Sequence, residues 1–508
     1  MVKARLSLLP VGLIVFAALG QLPFPAGHSS ASTPAAASPA KARMNIEELS
    51  QPGHEAELQN LRHAFEVLVA RSLKDPDDPT GYIHLADFHN DDLIGPCDHG
   101  DDIFLAWHRR HLLEFEKALQ NADPNNPVTP TKDVMLPYWD WTTVPSGRQG
   151  YPALFESKTV DGTASGAPNI FYWPNPALCK ALGSAGKIFY CNPRNAHPAG
   201  VPPYSQAEVD KILQNDWPAF TANLETKPHN TMHGRYVGSD MGDNQSAAYD
   251  PIFWFFHANI DRLLEQWQQT KQKDQCEAAP DPAKMPCLDC DVRGSSHWPP
   301  TGKVREFICI DKLGYKYDQL GFALTMAAAR MSGRAAAAPQ DVLAAPDHNI
   351  VAGPGTTVSL TFKAPSEKGT QVTLRLDDVT IPTDISYEVR VYLHPASVKF
   401  RRGDRTFAQK YYADAFVLWA LHHKTTTAAA HHQTTDLSLD ITGKMAEVGA
   451  ANAGKDWLAT FVFTPIKQAR PANRAPLEST PPHPPSFAQA TIVVQSDGKS
   501  KEIKLNQR

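Results

Sequence analysis

Three stretches of the chain place apolar residues at the three- and four-residue spacing of a buried helix face. Leu58, Leu61, Phe65, Leu68 and Val69 form the first. Phe104, Leu105, His108, Leu112, Phe115 and Leu119 form the second, and Phe253, His257, Ile260, Leu264 and Trp267 the third. The first reads as packing alone. The other two each seat a histidine on the apolar stripe, where an imidazole is costly unless it has a partner. From about Ile350 the period changes. TVSLTFKA, TQVTLRLDDVTI, ISYEVRVYLH, TTDLSLDIT, WLATFVFTPI and ATIVVQS alternate in strand fashion. Short strands at this spacing predict an antiparallel β-sandwich. The expected fold class is multidomain α+β: a mainly α-helical domain over 45–326, a linker at 327–349 and a C-terminal β-sandwich domain over 350–508.

Length and composition narrow the picture. A chain of 508 residues is enough for two or three domains. Its net charge of -5 suggests neither nucleic acid nor an anionic membrane surface as a partner. Residues 1–26 read as an export signal. Lys3 and Arg5 supply the positive start, and Leu6–Leu19 is apolar apart from Ser7 and short for a membrane span. The Ala/Ser/Pro tract that follows, over 27–44, reads as a disordered linker. The expected location is therefore periplasmic or secreted, with no membrane attachment after signal cleavage.

Export makes disulfides the expected use of the seven cysteines. Cys179 and Cys191 bracket a short loop and are predicted to pair. Cys276, Cys287, Cys290 and Cys309 allow three connectivities. The C-x-x-C spacing of Cys287 and Cys290 also suits zinc, against which export weighs. Cys97 is left over.

The histidines carry the chemistry. His229 and His233, in PHNTMH, are four apart and share a helix face. Pro228 is placed to start that helix and Gly234 to interrupt it. A second helix opens at Asp250-Pro251 and carries His257, with Asp261 one turn further on as a candidate orienting carboxylate. An earlier segment repeats the theme with His89, His99 and His108. His84 competes with His89 for the first place. His111 reads as peripheral, and Arg109 and Arg110 as a solvated or ion-paired face. Asp140, in PYWDW, reads as a structural anchor that needs a hydrogen-bond partner. His422, His423, His431 and His432 fall in a polar loop.

Two sets of three histidines suggest two metals. Imidazole suits zinc, copper, nickel and iron alike. No carboxylate is placed to join either set, which argues against magnesium, calcium and non-haem iron held by two histidines and a carboxylate. A zinc protease of the HExxH type needs a glutamate where this chain has Asn230. All-nitrogen sites with open positions suit copper that binds dioxygen between two ions.

FLAWHRRHLLEFE after His99, PYWDW, PHNTMH and DPIFWFFHANIDR together resemble the type-3 copper proteins: tyrosinases, catechol oxidases and haemocyanins. The resemblance spans roughly residues 55–270 and implies a four-helix bundle around two copper ions. It implies His89, His99 and His108 as ligands of the first ion and His229, His233 and His257 as ligands of the second. Cys97, in C-x-H, resembles the cysteine that forms a thioether with the following histidine, here His99. Phe253 resembles the phenylalanine packed among the ligands. Phe256 departs from relatives that carry a histidine there. Glu225 and Asn230 resemble the pair proposed to hold a water that deprotonates a monophenol.

The resemblance implies an exported polyphenol oxidase using dioxygen and small phenols. It would hydroxylate monophenols and oxidise o-diphenols to o-quinones. A catechol or o-aminophenol oxidase with little monophenol turnover is the first alternative. A haemocyanin-like oxygen carrier is the second, although nothing suggests tandem repeats. In relatives, a domain such as 350–508 also acts as a lid over the site.

Overall fold

The apolar stripes become helices where their spacing placed them. In the computed structural model they are α1 (Glu55–Lys74), α3 (Phe104–Gln120) and α5 (Ile252–Lys271). The short α2 (Tyr82–Asp87) follows α1, and α4 (Ala219–Leu224) precedes α5. The structure describes residues 41–90, 99, 103–142, 150–187, 190–195, 204–217, 219–243, 246–271, 288–292, 302–320, 350–351, 357–364, 371–380, 386–402, 404–418, 434–448, 452, 454–465, 485–496 and 499–507.

Aromatic rings join the helices. Phe65 of α1 meets Phe115 of α3 at 5.4 Å and Phe255 of α5 at 5.9 Å between centroids. Phe115 stacks on Trp254 within 5° of parallel. All four rings are fully buried, and each contributes about 1.5–3 kcal/mol by leaving water.

The sequence places one helix boundary wrongly. The helix does not start at Pro228. It runs from α4 straight through two wide π turns, Glu225–His229 and Met232–Val237, with Pro228 inside the first. Proline lacks an N–H and crowds the preceding turn, and the wider π turn relieves both problems. Gly234 does not interrupt it either. The helix ends at Gly238, whose φ of +60 suits a residue without a Cβ. The start of α5 is as expected: Asp250 Oδ1 accepts from Ile252 N at 3.0 Å.

A second departure lies at the other end of the helical core. The segment read as linker to residue 44 ends in a strand, β1 (Lys41–Arg43), paired in parallel with β2 (Tyr315–Tyr317). Arg43 is fully buried there.

The alternating segments form β3 (Thr357–Lys363), β4 (Gln371–Thr380), β5 (Tyr387–Pro395), β6 (Tyr412–Leu418), β7 (Thr434–Asp440), β8 (Asp456–Pro465), β9 (Gln489–Ser496), β10 (Lys499–Lys504) and β11 (Asn506–Gln507). One sheet has the order β7-β4-β9-β10 and the other β11-β3-β8-β5-β6, with every pairing antiparallel. Both sheets send side chains into one buried cluster, which Ala222 of α4 joins.

Cys179 and Cys191 form the predicted disulfide. Asp240 fastens that loop by accepting from Cys191 N at 2.8 Å, Asn192 N at 2.7 Å and Trp173 Nε1 at 3.0 Å. Cys290 and Cys309 are also disulfide-bonded. Cys97, Cys276, Cys287, residues 1–40, 327–349 and the histidines at 422, 423, 431 and 432 lie outside the described residues. Among the described residues, no helix is long and apolar enough to cross a membrane.

Candidate metal centre

Six separate stretches of the chain bring six histidines to one place. His89 sits on the 3-10 turn that continues α2, and His99 on the segment before α3. His108 is on α3, His229 and His233 are on the two π turns, and His257 is on α5. Each is at most 2% exposed. Ring nitrogens of His89, His99 and His108 lie within 4.8 Å of one another, and so do those of His108, His229 and His257. His233 joins from the side, its Nε2 3.0 Å from His257 Nε2. The structure thus brings together the six histidines that the spacing singled out. The spacing separated them into two trios more cleanly than the geometry does, since His108 faces both groups. His84 is only partly buried on α2 and belongs to neither group.

Burial favours the neutral form of four of these imidazoles. It pushes His108, His229, His233 and His257 well below the ordinary histidine value, and the neighbouring imidazoles add to the effect. Hydrogen bonds then choose the tautomer. His108 Nδ1 donates to Phe104 O at 2.8 Å, His233 Nδ1 to Met241 O at 2.8 Å and His229 Nδ1 to Asn230 Oδ1 at 2.7 Å. Each bond leaves Nε2 with a lone pair aimed into the cluster, as metal ligation requires.

His257 supplies a test of fit. Its Nδ1 is buried with no hydrogen-bond partner, while its Nε2 faces that of His233. As the Nε2–H tautomer it donates to His233 but leaves a buried acceptor bare. As the Nδ1–H tautomer it sets two lone pairs against each other. A buried polar group left unmet costs about 1–3 kcal/mol. A cation facing both Nε2 atoms removes the second conflict, and neither nitrogen group contains a carboxylate. The residues therefore fit soft-to-borderline metal ions held by imidazole alone.

Rings close the cluster against water. Phe253 lies 4.8 Å from His89 and 4.3 Å from His257, among the ligands as expected. Phe256 packs 5.0 Å from His233 and 5.2 Å from Trp141, an apolar wall beside the second group. His111 is a buried core histidine, hydrogen-bonded through Nε2 to Leu85 O at 3.1 Å, and burial pushes it down to about 3. Asp140 meets its need through Thr142 N at 3.0 Å and Arg262 Nη1 at 3.2 Å.

Asp261 does not orient a ligand imidazole. Its carboxylate accepts from Arg109 Nε, from Arg43 Nη1 at 3.2 Å, from Tyr315 OH at 2.7 Å and from Tyr317 OH at 2.6 Å. Arg43 also meets Glu116 at 2.9 Å and lies 3.7 Å over the Tyr315 ring. Burial alone would raise the Asp261 carboxyl, but Arg109 and Arg43 outweigh it and hold it below the usual carboxylate range. Arg109 is thus buried rather than solvated. The signal for this network was Asp261 itself, a carboxylate one turn on from His257 in a helix with a buried face, where a charge needs cations. Nothing in the Ala-rich tract marked Arg43.

Residues 78–270 match the common central domain of tyrosinase. The tyrosinase of Streptomyces lincolnensis is 32% identical over 207 residues, which cover 36% of this chain and 70% of the relative. That of Streptomyces antibioticus is 34% identical over 212 residues, covering 36% and 70%. The chain belongs to the tyrosinase family. It is a copper-dependent polyphenol oxidase, and its cofactor is the family's binuclear copper centre, for which the histidine cluster offers the donors. Tyrosinase-family enzymes use dioxygen and phenolic substrates. A functional unit of octopus haemocyanin shares the fold, with a TM-score of 0.55, 18% identity and coverage of 88% of this chain and 99% of that one.

Proposed function

We propose that the protein is an exported dicopper phenol oxidase that turns over both monophenols and o-diphenols. The observation that carries this reading is the cluster of six buried histidines, with Glu225 and Asn230 at the start and just past the end of the π turn that carries His229, both at most 4% exposed. We assign His89, His99 and His108 to the first ion and His229, His233 and His257 to the second. When bound, the two copper ions supply the redox chemistry between dioxygen and the phenol. The chain's own groups do the rest. The Nδ1 hydrogen bonds hold the ligand nitrogens in place, and Phe253 and Phe256 keep water out. Glu225 takes the proton of the incoming phenol through a water, which makes the phenolate that a metal binds. One monophenol and one dioxygen give one o-quinone and one water. Two o-diphenols and one dioxygen give two o-quinones and two waters.

Three further assignments belong to this reading. Residues 1–26 act as the export signal, supported by Lys3, Arg5 and the apolar run after them. Cys97 is joined to His99 by a thioether, which fixes a ligand that no helix carries. The helical core is a four-helix bundle and the two sheets a β-sandwich domain, the latter supported by their shared buried cluster. The deciding experiment gives the copper-loaded protein a monophenol and, separately, an o-diphenol. Oxidation of both, with a lag on the monophenol, is the expected result.

A second reading is a catechol or o-aminophenol oxidase with little monophenol turnover. One observation favours it. The Asn230 amide, which would help hold the water, donates to Val417 O at 3.0 Å. Oxidation of the o-diphenol alone selects this reading.

A further inference from the structure

Among the described residues, three of the six histidines have Nδ1 held by a bond given above, and His229 differs from the other two. Phe104 O, which holds His108, is on the same helix, and Met241 O, which holds His233, follows closely in the chain. His229 is held by the side chain of Asn230, and that side chain is held by the C-terminal β domain. Asn230 Nδ2 donates to the carbonyl oxygen of Val417, a buried residue of β6.

An asparagine amide has nearly the same shape either way round, so what its far end meets decides which end faces the imidazole. A backbone carbonyl only accepts. Val417 O therefore claims Nδ2 and turns Oδ1 to His229. The imidazole must then carry its proton on Nδ1 and keep Nε2 for a metal. With the amide reversed, Nδ2 would face Nδ1 and the proton would move to Nε2, blocking the ligand atom.

The same segment carries the contacts that hold the β domain in place. Lys227 Nζ lies 2.7 Å from Asp414 Oδ2 of β6, and Arg235 pairs with Glu388 of β5. These ion pairs flank His229 and His233 on either side. Ala222, a turn before Glu225, sits in the β domain's own apolar cluster.

We propose that the β domain is a working part of the second metal site: through Val417 and Asn230 it selects the His229 tautomer that binds copper. This goes beyond the role of a cover, and it rests on the reading of His229 as a copper ligand. Asn230 is here a positioning residue. Orienting partners of this kind change metal affinity by about 10–100-fold.

The test is copper retained per full-length chain, by elemental analysis, over a timed exposure to a chelator. The docking variant Asp414→Ala with Glu388→Ala should lose one of its two copper ions roughly ten times faster than the parent, the other at the parent rate. Adding Asn230→Asp to that variant should restore retention, because a carboxylate presents an acceptor to His229 whichever way it turns. A cover alone predicts no such rescue. Equal copper loss in parent and docking variant overturns the proposal, and so does failure of Asn230→Asp to restore it. If the docking variant does not fold, Asn230→Leu in the otherwise unchanged chain gives the same reading. Faster loss of one ion supports the proposal, and loss at the parent rate overturns it. A chain that shows the expected copper behaviour yet oxidises no phenol overturns the proposed activity alone. A phenol oxidase whose variants all hold copper equally overturns this inference alone.

Discussion

His108 and His257 lie face to face, with ring centroids 4.4 Å apart and planes 3° from parallel. They come from different helices, so the register of α3 against α5 sets their stacking. That register is pinned nearby: Arg109, next to His108, pairs with Asp261, one turn on from His257. Breaking a buried pair by removing one partner leaves an unmatched charge and costs about 3–5 kcal/mol. Asp261→Asn should therefore lower the free energy of unfolding by that amount in a denaturant titration. A loss under about 1 kcal/mol would mean that the network is not a register pin.

Copper stoichiometry tests the ligand assignment. His99→Ala and His233→Ala should each leave about one copper ion per chain, and both should lose phenol oxidation by at least about a hundredfold, since the two ions act together. His84→Ala should keep two ions and activity within a few-fold. Retention of both ions by His99→Ala would remove that residue from the set.

The buried histidines predict a pH dependence with a definite sign. His108, His229, His233 and His257 have folded values well below the ordinary 6.5, and His111 is down at about 3. Below about pH 6.5 the unfolded chain therefore binds more protons than the folded one. Their contribution to stability is full above that pH and is lost as the pH falls towards the folded values. The denaturation midpoint of chelator-treated protein should drop steadily from pH 7 to pH 5. A midpoint that stays flat or rises over this range would show that these imidazoles are not held neutral.

Substitution of Glu225 tests its proposed role as the base for monophenols. Glu225→Gln removes the base but keeps the shape, so monophenol turnover should fall by roughly 10²-fold. O-diphenol oxidation should stay within a few-fold, as its substrate loses a proton more readily. Equal losses on both substrates would make Glu225 a structural residue.

The helices that carry His108 and His257 were legible in the sequence because each needs one amphipathic face, and both histidines stand on it. The six histidines that the structure brings together could be singled out in the sequence, because repetition of histidines on apolar faces is a local signal. Asp261 shows where local reading stops. Its place one turn on from His257 was visible, but its partners Arg43, Tyr315 and Tyr317 come from distant strands with no periodicity to announce them. Pro228 shows a different limit. Proline at a helix start is the commoner use, and only the π turn makes its place inside a helix tolerable. Asn230 was singled out for a water, whereas its bond to Val417 needed the two domains in contact.

Arg43 sets an order of assembly. Its partners Glu116, Asp261, Tyr315 and Tyr317 run through nearly the whole helical part of the chain. A polypeptide that leaves a ribosome or a translocation channel from its first residue onwards offers Arg43 early, and its last partner, Tyr317, much later. Non-local pairings of this kind close late. All six histidines have emerged before the arginine finds its final neighbour. The frame around the histidine cluster thus closes only once two residues far apart along the chain, 43 and 317, have met.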